Sequence, residues 1–120
     1  MGPTRWNLAL AGLATISLTA CFSRPPPIAR GLPTMMRDIG PAFAERVSAR
    51  FPVGSSSREM VAELRRQHFK MRPTDPGSPY ESVATAENFN GACNLRWTIY
   101  WAGKAEQITA IEGGFIANCL

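Results

Sequence analysis

The chain has one histidine, His68, and three cysteines, Cys21, Cys93 and Cys119. Nucleophilic catalysis by a Ser/His/Asp or Cys/His set needs an imidazole base. His68 is the sole supply, and it falls near the expected end of a helix, where an imidazole ordinarily serves as surface or filler. A zinc site draws its protein ligands mainly from Cys and His, so this chain is short of ligands and neither a metal nor another cofactor is expected. No glycine-rich phosphate loop precedes a helix: Gly113-Gly114 falls between two expected strands, and Gly54 with the serines that follow reads as a helix cap. The carboxylates Asp38, Asp75, Glu81 and Glu87 have no spacing that pairs them. Acid–base chemistry would require two or more of Asp75, Glu81, Glu87 and His68 to share a pocket. The expectation is a protein without catalytic activity. Lys and Arg number 13 against 9 Asp and Glu, scattered and not gathered into a stripe, so nucleic acid is not an expected partner.

A hydrophobic run long enough to span a bilayer is also missing. The longest, Leu8 to Ala20, covers 13 apolar or small residues broken by Thr15, Ser17 and Thr19, against the ~20 that a spanning helix needs. With Arg5 ahead of it, the run has the length and flank of a cleavable signal segment. It closes on Leu18-Thr19-Ala20-Cys21, which resembles the lipobox of bacterial lipoproteins: a Leu, two small residues and an invariant Cys. The resemblance implies that Cys21 Sγ receives a diacylglyceryl group, that a signal peptidase cuts before Cys21, and that the new amine is acylated. Several acyl chains at ~0.8 kcal/mol per buried methylene hold a protein stably on a membrane, where one chain does not. The absence of Asp at Phe22 and Ser23 resembles an outer-membrane sorting signal, placing the chain in the cell envelope and facing the periplasm.

Assigning Cys21 to processing leaves an even pair, Cys93 and Cys119, in an oxidising compartment. A disulfide between them closes a loop of 26 residues, worth roughly 3.5 kcal/mol in the chain-entropy model. Two unpaired buried thiols are the alternative. Residues 21–33 include Pro25-Pro26-Pro27 and Pro33, which favour an extended polyproline course. The expectation is a spacer of up to ~37 Å holding a folded domain, residues 34–120, away from the bilayer.

In that domain, Ile39, Phe43, Val47 and Phe51 recur at helical spacing, with the regular helix expected from Pro41 to Arg50. Ser56 and Glu59 stand in capping-box spacing ahead of Met60, Val61 and Leu64, marking a second helix over 57–68. Lys70 to Gly91 lacks a clear period, apart from a short strand near His68 to Arg72, and is the expected functional loop. From Cys93 the period becomes two: Cys93, Leu95, Trp97, Ile99 and Trp101 form one face, and Tyr100 on the other is the candidate binding residue. A turn at Ala102-Gly103-Lys104, a strand over Gln107 to Glu112 and another over Phe115 to Cys119 complete an α+β domain of two short helices on a three-stranded antiparallel sheet.

This order of lipobox, Pro-rich tether, two helices with Gly54-Ser55-Ser56 opening the second, and a strand meander is similar to the small outer-membrane lipoproteins of the SmpA/OmlA (BamE-like) type. The resemblance implies two helices packed on three strands and a role in assembling outer-membrane β-barrels, with another envelope protein as partner. The Cys93/Cys119 pair departs from that pattern, as does Gln67-His68-Phe69 where the family carries Gly-x-Pro. A ligand-binding or inhibitor module built on the Lys70 to Gly91 loop and Tyr100 is the other expectation.

Overall fold

The second helix, α2, is the element whose ends the side chains define most sharply. It spans Ser57–Arg66 in the computed structural model, which describes residues 23–120 together with Gly2 and Gly12. Leu18, Thr19, Ala20 and Cys21 lie outside the described residues. Ser56 Oγ accepts from the Glu59 amide at 3.1 Å, satisfying one of the free donors of the first turn. Met60 and Leu64 face inward. The helix stops two residues earlier than expected because the chain turns left-handed at His68, φ 66°. The His68 amide donates to the Arg65 carbonyl (3.0 Å) and the Phe69 amide to the Leu64 carbonyl (2.9 Å). These are the two bonds of a Schellman cap, and buried Leu64 and Phe69 supply its apolar contact.

Helix α1 spans Met36–Arg50 and so starts five residues before the expected Pro41. Proline at 41 removes the donor that Arg37 would otherwise receive. Both residues are exposed near the helix start, so water can serve that carbonyl and the helix continues through. Phe43 and Val47 are fully buried, and Phe51 closes the helix ahead of Pro52.

The sheet has four antiparallel strands, not three, in the order β1 (Lys70–Pro73), β2 (Ser82–Phe89), β3 (Cys93–Lys104) and β4 (Gln107–Cys119). Strand β2 lies inside the stretch expected to be a connection. Its inward residues Ala84, Ala86 and Asn88 are small or polar, so the alternation carries little hydrophobic contrast. The expected break at Gly113-Gly114 is absent, and one strand runs through it. Those glycines answer to close approach: a Cβ on Gly113 would stand 2.9 Å from Val47 Cγ2 and 3.1 Å from Ala44 Cα, and one on Gly114 would stand 2.8 Å from Thr98 Oγ1. Helix α1 can lie tightly on β4 only because position 113 has no side chain. The β3–β4 turn falls at Ala105 and Glu106, both with positive φ, two residues beyond the expected site; this is the handedness that two-residue hairpins favour.

The helices cover one face of the sheet. Phe43 meets Trp97 edge-on with ring centroids 5.0 Å apart, Phe115 flanks the same indole at 4.7 Å, and Ile99, Ile108 and Trp101 complete the layer. Cys93 and Cys119 are disulfide-bonded and directly opposite in the β3–β4 register. Among the described residues no helix is long and apolar enough to cross a membrane.

The expected stand-off tether is corrected over residues 23–32. The Ser23 amide donates to the Phe89 carbonyl (3.0 Å), while Ser23 Oγ accepts from the Phe89 amide (2.9 Å). Pro27–Ala29 forms a 3₁₀ turn whose Ile28 and Ala29 are buried in the core. Gln67 Oε1 accepts from the Ile28 amide at 2.8 Å, and the Arg46 guanidinium donates to the Ile28 carbonyl at 3.2 Å and to the Arg30 carbonyl. The prolines do exclude a long helix here, as their fixed φ requires. They do not keep the segment free of the domain, because Ile28 and Leu32 supply apolar surface that the core takes up. The folded unit therefore begins before residue 34.

Candidate functional site

The pleat sends alternate side chains of each strand to the face that the helices leave bare. Register places Val83, Thr85 and Glu87 of β2 there, beside Tyr100, Thr98 and Arg96 of β3 and Glu112, Gly114 and Ile116 of β4. Arg72 of β1 pairs with Val83 and joins this face from the edge. Thr98 is nearly buried in the middle, under the notch that Gly114 leaves. Ile116 is 53% exposed, a large apolar side chain without cover.

The loop between β1 and β2, residues 74–81, folds back over this face. Thr74 Oγ1 donates to the Tyr80 carbonyl, and the Tyr80 amide donates to Ser78 Oγ at 3.1 Å. Tyr80 then reaches past β3: its ring lies 5.8 Å from that of Tyr100, tilted by 41°, and its hydroxyl donates to Glu112 Oε2 at 2.8 Å. That hydrogen bond, with partial desolvation, pushes the Tyr80 hydroxyl above its usual range. Two adjoining concavities result. One of about 310 Å³ is lined by Tyr80, Tyr100, Glu112 and the two glycines. The other, about 420 Å³, runs from Arg72 and Asp75 across Thr98 to Arg96 and Ile116. Tyr100, the candidate picked from its strand position, thus lies at their junction, half-buried because Tyr80 covers it. Trp97 and Trp101 are in the core.

A third hollow on the same side, about 460 Å³, brings His68 and Glu87 together with Lys70, Arg72 and Arg96. Two of Asp75, Glu81, Glu87 and His68 therefore share a pocket, which meets the sequence-based condition for acid–base chemistry. Arg96 Nε donates to Glu87 Oε1 at 2.9 Å, and that bond, outweighing desolvation, holds the Glu87 carboxyl below its usual range. A carboxylate so held is a poor proton donor near neutral pH. The structure ties His68 to Arg65 through its backbone, as the helix cap, and Glu87 to Arg96. A groove of about 430 Å³ between the end of α1 and α2 is lined by Arg50, Glu59, Glu63 and Arg66. There, hydrogen bonds from Gln67 and Arg66 hold Glu63 low. Among the described residues no group of three or more His, Cys, Asp or Glu is placed to hold a metal ion.

Sequence reasoning singled out the loop over Lys70–Gly91 and Tyr100, and the fold brings them into contact. It did not pick out Tyr80, Glu112, Arg72 or Ile116. No sequence signal places Tyr80 opposite Glu112, 32 residues away, without first knowing that β2 is a strand. Comparison with protein-family models, with curated proteins and with solved structures gives no match.

Proposed function

We propose that the chain is a lipid-anchored, non-enzymatic protein of the bacterial cell envelope, held on the periplasmic side of the outer membrane through Cys21, and that it binds another envelope protein. The observation that carries the binding role is the bare sheet face, where Tyr80, Tyr100 and Ile116 stand among Arg72, Arg96 and Glu112. Aromatics and arginines on a concave surface are the composition of interface hot spots. The long edge strand β4 adjoins this face. Gly54 and Ser55 hydrogen-bond to Ile108 at its start, and its remaining length offers backbone groups for strand addition by a partner. The short edge β1 is protected by Lys70, Arg72 and Pro73. Help in outer-membrane assembly is the role that the SmpA/OmlA resemblance implies for such a surface.

Crosslinking in intact cells through a photoreactive residue at Ile116, followed by affinity capture, tests this. A discrete higher-mass adduct that Tyr100→Ala weakens is expected; recovery of the monomer alone contradicts it. A second reading, a ligand-binding or inhibitor module, is favoured by the Tyr80–Tyr100 concavity alone. For it, a thermal-shift screen with periplasmic sugars and short peptides should give a rise that Tyr100→Ala removes.

A further inference from the structure

The docked N-terminal segment limits how far a lipid on Cys21 could stand from the fold. Ser23 is hydrogen-bonded through its amide and its hydroxyl to Phe89, the last residue of β2, and its carbonyl accepts from Asn88 Nδ2 at 3.3 Å. Beyond Phe89 lies the turn at 90–92, held by Asn90 Oδ1, which accepts from the Ala92 and Cys93 amides. Cys21 precedes Ser23 by two residues, a reach of about 7 Å. The spacer that would hold the domain away from the bilayer is consumed by docking: Ile28 and Ala29 are in the core, and Gln67 and Arg46 clamp the backbone between them.

We infer that the domain is seated directly on the lipid surface, with the β2–β3 turn and the disulfide end of the sheet against the headgroups. This rests on the anchor at Cys21 proposed above. The sheet then stands away from the membrane. Asn118 pairs with Asn94 at the lipid end, and Lys104 lies ten residues further along β3, about 33 Å away at 3.3 Å per residue. Exposed Arg24 follows Cys21 by three residues and suits anionic headgroups. The seating leaves the Tyr80–Tyr100 concavity and the β3–β4 turn facing outward, where a second envelope protein can reach them.

The test uses the full lipidated chain in vesicles of phosphatidylethanolamine and phosphatidylglycerol, with a fluorophore carried on a non-natural side chain at Asn118 or at Lys104. Nitroxide-headgroup lipids should remove most of the fluorescence at position 118 and leave that at 104 unchanged. Inserting about twelve Gly and Ser residues between Phe22 and Ser23, an added reach of about 19 Å, should restore the emission at 118 without releasing the protein. Membrane fractionation of Cys21→Ala tests the anchor separately from the seating. If that variant is released while position 118 of the lipidated chain is not quenched, or 104 is quenched equally, the seating is overturned and the anchor stands. Quenching at 118 that survives the insertion also overturns it. A Cys21→Ala chain that stays in the membrane overturns both.

Discussion

Trp97 Nε1 donates to Asn88 Oδ1 at 2.7 Å in the interior of the domain, and the Asn88 amide nitrogen donates in turn to the Ser23 carbonyl. One buried polar side chain thereby satisfies the central indole of the core and ties the N-terminal segment to the end of β2. Asn88→Leu fills the space but leaves the Trp97 N–H without a partner, at a cost of about 1–3 kcal/mol. Urea unfolding should show that loss, and amide exchange should show faster opening at Ser23 and Phe89. An unchanged midpoint would mean the indole finds another acceptor.

The glycines give a paired expectation of unequal size. Gly113→Ala sets a Cβ 2.9 Å from Val47 Cγ2 and pushes α1 off β4, a strain of about 1–3 kcal/mol. Gly40→Ala, in α1 with no atom beyond its chain neighbours within 4 Å of the new methyl, gains helix propensity but sets a Cβ against the Pro41 ring, so its stability should stay within about 0.5 kcal/mol of the parent. Thermal melts of the two variants read the difference directly.

His68 holds a left-handed conformation at the end of α2 that is costly for a side chain with a Cβ. His68→Gly should therefore keep or raise the melting temperature, by the equivalent of about 0.5–1 kcal/mol once the added freedom of the unfolded chain is counted. A large loss would point to a role for the imidazole beyond the cap.

Acid should weaken the fold modestly through two carboxylates. Glu63 and Glu87 are both held below the usual carboxylate range, Glu63 by Gln67 and Arg66 and Glu87 by Arg96. Because the folded values are lowered, their contribution is present above the unfolded carboxylate range, about pH 4.3. It is lost as pH falls through the folded values. Glu63 also orients Gln67, which holds Ile28, so acid should loosen the docked segment first. Denaturant midpoints between about pH 6 and pH 3 should fall less in the Glu63→Gln/Glu87→Gln double variant than in the parent.

Helix α2 and strand β3 were legible because their hydrophobic periods are strong and unbroken: Met60 and Leu64 at helical spacing, and Leu95, Trp97, Ile99 and Trp101 at period two. Strand β2 was hidden because Ala84, Ala86 and Asn88 fill inward positions where larger apolar residues would have announced a strand. Gly113-Gly114 read as a break because a glycine pair ordinarily marks a turn, whereas here the reason is a helix crossing overhead. The docking of Ile28 had no local signal, since its clamp consists of Gln67 and Arg46 from distant helices. Tyr100 was placed by strand alternation alone. Its partner Tyr80 needed the tertiary fold.

Location and seating both depend on the proposed anchor at Cys21. Intact-mass analysis of the protein extracted from the membrane fraction tests it most directly. The mass expected is that of a chain beginning at Cys21 and carrying a diacylglyceryl group and an acyl chain on its amine, with the Cys93–Cys119 disulfide retained. A chain of unmodified mass, or one recovered only from the soluble fraction, would contradict it.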